Sequence, residues 1–209
     1  FYWKPAETNT TTRHGWFYRD EKQHVKPASE LIDVWFRSIG GNSVFLLNLN
    51  PDRRGLIPDR DAAVLRELGK VTKGTFKHNL AQHARARASN SQGNHTAKNI
   101  VDGNLDSYWM PEAGQECADI VVDLKDKQAF NCVLLQESIR ARGQRVEAFA
   151  IDIWEDQAWR KVTEGTVIGY KSIKRFPLVT ASKLRIRILA SRLCPTLSFF
   201  GLYRRESLD

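Results

Sequence analysis

The sequence predicts two kinds of fold in one chain, an α/β segment over residues 1–75 and an all-β segment over residues 76–209. In the first segment, apolar residues recur at helical spacing on both sides of a nearly continuous apolar run. In the second segment, short alternating runs of apolar and polar residues are separated by turn-like gaps. A chain of 209 residues can form one large domain or two modest ones.

The first predicted element is an amphipathic helix over residues 26–39. Pro27 suits the first turn of a helix, and Gly40 and Gly41 suit its end. The spacing of the apolar side chains between these residues predicts one buried face. Those side chains are Leu31, Ile32, Val34, Trp35, Phe36 and Ile39.

A strand and a second helix are predicted to follow. Residues 44–49 are almost all apolar, which is typical of a strand buried on both faces. Asp59 or Asp61 is then expected to cap a helix that ends near residue 70. Its predicted inward side chains are Ala63, Val64, Leu65 and Leu68.

Helix, buried strand, loop and helix in this order are typical of a (β/α)8 barrel. A complete barrel takes about 250 residues, so residues 1–75 are expected to be its C-terminal fragment, at most the last third. Because the chemistry of such barrels lies at the carboxyl ends of strands, we expect Glu7 and residues 48–52 to lie there. Asn48 and Asp52 are expected to brace loops there.

The second segment predicts an antiparallel β-sandwich. Leu184, Ile186 and Ile188 alternate with more polar neighbours, as on a strand with one buried face. The predicted strands cover residues 120–124, 131–136, 147–154, 159–162, 183–189 and 198–203.

Composition excludes several classes of protein. The chain carries 32 basic and 24 acidic residues, a net charge of +8, but the basic residues are scattered and predict no nucleic-acid partner. No apolar run reaches the length of about 18 residues that a membrane helix needs, so no membrane partner is predicted. The three cysteines and five histidines lack metal-site spacing. The chain opens inside a motif without Met and shows no signal peptide, so we expect a piece of a longer protein.

Glu7 is the candidate catalytic residue. It follows Pro5 and lies in sequence between Trp3 and the aromatic residues Trp16 and Tyr18. Apolar rings around a carboxyl raise its pKa, which suits a general acid, and indole faces suit sugar rings. The alternative is a buried, hydrogen-bonded glutamate at the start of an element.

The runs W-x-P-A-E and R-x-G-W-F-Y, together with a second block over residues 29–57, resemble the glycoside hydrolase family 29 alpha-L-fucosidases. The resemblance implies a retaining exo-acting enzyme, with Glu7 as the acid/base, Trp3 and Trp16 lining the pocket, and no cofactor for catalysis. Its nucleophile, an Asp, is expected upstream of Phe1. The implied partners are a fucosylated oligosaccharide or glycoprotein glycan and the remainder of the barrel.

Residues 77–205 resemble the discoidin, or factor 5/8 type C, domains, chiefly in the run D-G-N-x-x-S-x-W from Asp102 to Trp109. The resemblance implies a jelly-roll sandwich and a structural calcium ion held by Asp102, backbone carbonyls near Asn104 and the Ser107 hydroxyl. The alternative is a turn capped by the Asp102 and Asn104 side chains. Trp109 is expected to be a core residue. The alternative function is a carbohydrate-binding module without catalysis. Its sugar site would lie in loops at the rim of the sandwich, and the candidate residues there, the rim candidates, are His95, Arg140, Arg142 and Tyr170.

Overall fold

The computed structural model describes residue 4 and residues 6–205. These residues form two compact units: the α/β unit, which holds residues 4–77 and residue 205, and the β unit, which holds residues 78–204. Most of the regular structure is β-strand. Within the described residues, none of the helices combines the length and the apolar character needed to cross a membrane.

The α/β unit alternates strands and helices, and its helix, strand and helix over residues 28–75 follow the predicted order, whereas the first strand was not predicted. The two strands are parallel, with Glu7 opposite Val44 and Thr11 opposite Asn48. A helix between two parallel strands makes a β-α-β unit. The elements are β1 (Ala6–Thr11), α1 (Ala28–Ile39), β2 (Ser43–Asn48) and α2 (Asp59–Thr75).

The predicted first helix is confirmed. Helix α1 begins directly after Pro27, and the N–H of Gly40 donates to the carbonyl of Phe36 at 3.0 Å at its end. Leu31 and Ile32 are buried on one face. The spacing of apolar residues was sufficient to predict this helix, because its buried face packs against residues of the same unit.

The prediction that β2 is buried on both faces is wrong for the described residues. Val44 is 46% exposed and Leu46 is 47% exposed, whereas Phe45 and Leu47, which alternate with them, are half-buried. Among the described residues β2 pairs with β1 alone. The face of this two-stranded sheet that carries Val44 and Leu46 is uncovered within the described residues.

Helix α2 differs from its prediction in length and in its first turn. It continues to Thr75, and Leu68 is buried, but Ala63 is exposed. Pro58 is the residue that precedes the helix, so the prediction of a cap by Asp59 or Asp61 is wrong. The Asp61 side chain is buried against a different part of the unit.

The β unit is an antiparallel sheet, with strand order β3-β4-β7-β5-β6 and with β8 paired to β4. Its elements are β3 (Arg85–Ala88), β4 (Ala118–Gln136), the short helix α3 (Ile139–Arg142), β5 (Val146–Glu155), β6 (Ala158–Gly165), β7 (Ser172–Ser191) and β8 (Phe199–Tyr203).

The two longest strands each pair with different partners along their length. The first half of β4 pairs with β3 and the second half of β7, and its second half pairs with β8 and the first half of β7. The register shifts between Asp123 and Gln128. The runs predicted at residues 120–124 and 131–136 are therefore one strand with a bulge, and residues 172–182 were missed as strand.

The core of the β unit collects apolar side chains from both halves of β4 and from β7 and β8. The predicted alternation of Leu184, Ile186 and Ile188 is confirmed, since all three are buried. Trp109 is fully buried, and its indole N–H donates to the carbonyl of Asn90 at 3.1 Å, so its core role is also confirmed.

Candidate functional site

Glu7 is the second residue of β1, and its side chain is exposed. Side chains alternate along strands, so Glu7 shares one face of the parallel pair with Asn9, Val44 and Leu46, all exposed. Within the described residues Glu7 is exposed, so the alternative of a buried glutamate is wrong for them, and the expected shielding of its carboxyl by aromatic rings is not seen among them. Because β1 continues beyond Glu7 to Thr11, Glu7 does not lie at the carboxyl end of this strand, where it was expected. Trp3 lies outside the described residues.

The R-x-G-W-F-Y segment lies against the carboxyl ends of β1 and β2. Asn48, the last residue of β2, donates its side-chain N–H to the carbonyl of Trp16 at 3.0 Å. Asn50, which is 1% exposed, donates to the carbonyl of Gly15 at 3.0 Å and accepts the Thr11 hydroxyl at 2.8 Å. Trp16 itself is 49% exposed. This is the end of the strands at which α/β proteins place binding groups.

A buried ion pair holds the start of this segment. Both the Arg13 and Asp61 side chains are 0% exposed, and their closest nitrogen and oxygen are 2.7 Å apart. The Arg13 Nε also donates to both Asp61 oxygens at 3.2 and 3.0 Å, and the Thr12 hydroxyl donates to the same carboxylate at 2.6 Å. The hydrogen bonds to Asp61 raise the pKa of Arg13 above its ordinary value, so this guanidinium stays charged.

The expectation that Asn48 and Asp52 brace loops is confirmed by their contacts. Asp52 accepts the backbone N–H groups of Arg54 at 2.8 Å and of Leu56 at 3.3 Å. The Arg54 side chain also donates to Asp52, and this hydrogen bond lowers the pKa of the carboxyl. The carboxylate therefore closes the turn after β2.

The β unit brings two of its four predicted rim candidates to one cavity. Arg140 and Tyr170 line a cavity of about 160 Å³ together with Leu105 and Asp106. Tyr170 is 45% exposed and Leu105 is 56% exposed, so apolar surface and charge meet at this opening.

The other two rim candidates flank Tyr108 instead. The His95 ring stacks on the Tyr108 ring with 4.1 Å between centroids. The Arg142 Nε donates to the Tyr108 hydroxyl at 2.9 Å. Tyr108 is 8% exposed, so these contacts support the loop.

Glu137, which is 2% exposed, braces the loops around the cavity. One carboxylate oxygen accepts the backbone N–H groups of Arg145 at 2.7 Å and Val146 at 3.0 Å. The other oxygen accepts the N–H of Gly169 at 2.7 Å. No local pattern in the sequence predicts this role, because the partners of Glu137 are brought together only by the folded loops.

Burial raises the pKa of Glu137 above its ordinary value of 4.5. Between these two values the folded state binds more protons than the unfolded state, so stability from this group is lost as pH rises. We expect the free energy of unfolding of the wild type, relative to Glu137→Gln, to fall as pH rises above 4.5. Urea unfolding at a series of pH values measures this difference.

The matched control is Glu147→Gln, because Glu147 is exposed and pairs with Arg192 at the surface. An exposed pair contributes little, so the free energy of unfolding of the wild type, relative to Glu147→Gln, should not fall as pH rises. If the free energy of unfolding changed with pH in the same way for the wild type and Glu137→Gln, the raised pKa of Glu137 would be contradicted.

The predicted calcium residues lie together in one turn. The Asp102 carboxylate accepts the backbone N–H of Asn104 at 2.8 Å and the Ser107 hydroxyl at 2.7 Å. The Asn104 side chain accepts the N–H of Asp106 at 3.0 Å. Both Asp102 oxygens are thus occupied by the turn itself, and the set contributes a single carboxylate. No cluster of three or more His, Cys, Asp or Glu ligands occurs among residues 6–205. The residues fit a self-closed turn better than a calcium site, and the calcium ion stays a prediction.

Comparison with known proteins gives two family matches. The model of the F5/8 type C domain matches residues 85–197, and the model of the alpha-L-fucosidases matches residues 2–75. Alpha-L-fucosidase 1 of Arabidopsis thaliana is 34% identical over 208 residues, covering 96% of this chain and 41% of that protein. The chain spans about two fifths of the length of the curated relatives it matches.

Solved structures resemble the chain in the same way. The Ruminococcus gnavus GH29 fucosidase in complex with fucose has a TM-score of 0.87 and 28% identity, over 96% of this chain and 42% of that one. A chitosan-binding module from a Paenibacillus chitosanase/glucanase has a TM-score of 0.55 and 25% identity, over 60% of this chain and 98% of that one. The chain belongs to the F5/8 type C domain family through residues 85–197, and its resemblance to the alpha-L-fucosidases is confirmed.

Proposed function

We propose that this chain is the C-terminal portion of a retaining exo-acting alpha-L-fucosidase that removes terminal fucose from glycans. The observation that carries the proposal is the structural likeness to a fucosidase solved with fucose, which extends over 96% of this chain. The match of residues 2–75 to the alpha-L-fucosidase family supports it independently.

The α/β unit suits the end of a (β/α)8 barrel. Its parallel strands alternate with helices, and its uncovered face carries Glu7, Val44 and Leu46. In a closed barrel the face opposite the helices is the interior, which upstream strands would cover. The β unit is then the discoidin-like jelly roll that follows the barrel.

In this mechanism Glu7 donates a proton to the departing glycosidic oxygen and then removes a proton from the attacking water. An upstream Asp attacks the sugar carbon as the nucleophile, and water later opens the resulting ester. Trp3 and Trp16 line the sugar pocket. The role of Glu7 rests on the W-x-P-A-E motif, because β1 continues beyond Glu7 to Thr11, whereas barrel chemistry lies at the carboxyl ends of strands.

The experiment is a fucose-release assay on the full-length protein with a fucosylated oligosaccharide. A retaining mechanism predicts that α-L-fucose is the first anomer detected by proton NMR. Release of the β anomer first would contradict retention, and no release from any fucosylated glycan would contradict the proposed activity. The 209-residue chain alone is expected to be inactive, because the proposed nucleophile is upstream.

A second candidate function is carbohydrate binding by the β unit. The cavity that joins Arg140 and Tyr170 favours it, because an aromatic ring beside a charged donor suits a sugar. The likeness to a chitosan-binding module supports the same class of function.

Titration of the 209-residue chain with fucose and galactose tests this candidate. We expect Arg140→Ala and Tyr170→Ala each to weaken binding by about tenfold, as for a lost charged hydrogen bond or ring contact. Arg160→Ala is the control, because Arg160 is an exposed cation on β6 that pairs with Glu155. Equal affinity in all three variants would exclude the cavity as the sugar site.

A further inference from the structure

The R-x-G-W-F-Y segment is held by an unusual set of side-chain amides. We propose that Asn48, Asn50 and Gln23 are positioning residues that fix Trp16 for contact with the sugar. This inference rests on the proposed function, because it deepens the role given there to Trp16. It assigns a role in the reaction to three residues for which no motif and no family match gives one.

Four consecutive backbone carbonyls accept hydrogen bonds from these three amides. Gln23 donates to the carbonyls of His14 at 2.5 Å and Phe17 at 3.3 Å. Asn50 and Asn48 donate to the two carbonyls between them, those of Gly15 and Trp16, each at 3.0 Å. Every peptide carbonyl from residue 14 to residue 17 is therefore tied to a side chain outside the segment.

The two asparagines are themselves fixed. Asn50 is 1% exposed, and its side-chain oxygen accepts the Thr11 hydroxyl at 2.8 Å. Asn48 is the last residue of β2, opposite Thr11 on β1. Groups carried on strands hold a geometry more closely than groups carried on loops. Asn48 at the end of β2 and the buried Asn50 two residues beyond it thus set the position of the Gly15 and Trp16 carbonyls.

The backbone of the segment needs this support. Gly15 has a φ of +97°, a conformation that side-chain-bearing residues rarely adopt. Beyond it, Trp16 is 49% exposed and Phe17 is 83% exposed, so neither ring is held by burial. The hydrogen bonds fix the backbone that carries the two rings.

This arrangement has a chemical consequence for sugar binding. A flat ring covers the apolar face of a sugar best when the two faces are parallel. Ordering an exposed loop at the moment of binding costs conformational entropy, which a loop already held by hydrogen bonds does not lose again. The amides therefore act on the sugar through Trp16 and make no contact with it themselves.

The test uses the full-length protein and a double-mutant cycle. Asn50→Ala is expected to lower kcat/KM for a fucosylated glycan by about fivefold to tenfold, and Asn48→Ala by a similar factor. In the Trp16→Ala background the same asparagine substitutions should change kcat/KM by less than about twofold, because the ring they position is gone. Equal losses in both backgrounds would overturn the inference.

Hydrogen exchange gives a readout that does not depend on activity. The His14 amide, which donates to the carbonyl of His24 at 3.3 Å, should exchange faster in Asn50→Ala, while amides of α1 stay protected. Unchanged exchange in this segment would overturn the positioning role. If Trp16→Ala alone leaves hydrolysis unchanged, the sugar contact proposed for Trp16 fails, and exchange still decides whether the amides hold the segment.

The matched control is Asn79→Ala in the β unit. Asn79 is half-buried, and its side-chain oxygen accepts the N–H groups of Ala81 and Leu202, each at 2.9 Å. The Asn79→Ala variant therefore loses a comparable set of loop hydrogen bonds, at a position far in sequence from the R-x-G-W-F-Y segment. Its kcat/KM should equal that of the wild type, which separates positioning from a general loss of stability.

Discussion

Replacing Glu7 with glutamine in the full-length protein is expected to slow hydrolysis of a natural fucosylated glycan by about 10²–10⁴-fold. Glutamine keeps the size of the side chain but cannot protonate the departing oxygen. Because Glu7 is exposed in the described structure, the change should have little effect on folding. The loss would therefore belong to the chemical step.

The dependence on the leaving group makes this prediction specific. A fucoside of an acidic phenol needs little protonation to leave, so Glu7→Gln should slow its cleavage far less than that of the glycan. Glu30→Gln is the control, since Glu30 is an exposed glutamate in the first turn of α1. Equal turnover of the glycan by Glu7→Gln and the wild type would remove Glu7 from the mechanism. The acid would then have to be sought at the carboxyl ends of strands or upstream.

The parts of the fold that sequence predicted well depend on neighbours along the chain. Helix α1 and the alternation along β7 follow from the periodicity of apolar residues, and this periodicity is contained in the sequence of each element alone. The same holds for Trp109, whose place in the core follows from its type and its surroundings in the motif. No knowledge of distant contacts was needed for these predictions.

The parts that failed depend on what packs against an element. The apolar run at residues 44–49 predicts burial on both faces, but burial also needs neighbouring strands, and β2 has only β1 among the described residues. Likewise the polar residues between Asp123 and Gln128 look like a gap between strands, yet β4 continues through them with a shift of register.

The candidate site shows the same division. The motif containing Glu7 was visible in the sequence, but the side chains that hold its companion segment were not. Asn50 and Gly15 are 35 residues apart, and Arg13 and Asp61 are 48 apart. No spacing rule connects such pairs, so only the folded strands reveal them.

Replacing Arg13 with methionine is the second substitution for which a large effect is expected. It would leave the Asp61 carboxylate at 0% exposure with no cation, and removing one partner of a buried pair costs about 3–5 kcal/mol. Arg13 also donates to the carbonyl of Asp20 at 3.1 Å, so the loop after β1 would lose a second contact. Urea unfolding of the 209-residue chain, with hydrogen exchange of the α2 amides, measures the loss in the α/β unit.

Two further variants separate an unpaired charge from lost packing. In Arg13→Met/Asp61→Leu neither charge remains, so the double variant should be more stable than Arg13→Met alone. Arg37→Met breaks an exposed pair with Asp33 on α1 and should cost well under about 1 kcal/mol, since the Arg37 side chain is 72% exposed. A double variant less stable than Arg13→Met would show that the volume of the buried side chains, rather than their charge, holds the segment. A loss no larger than that of Arg37→Met would show that water reaches Asp61 and that the pair does not anchor the R-x-G-W-F-Y segment.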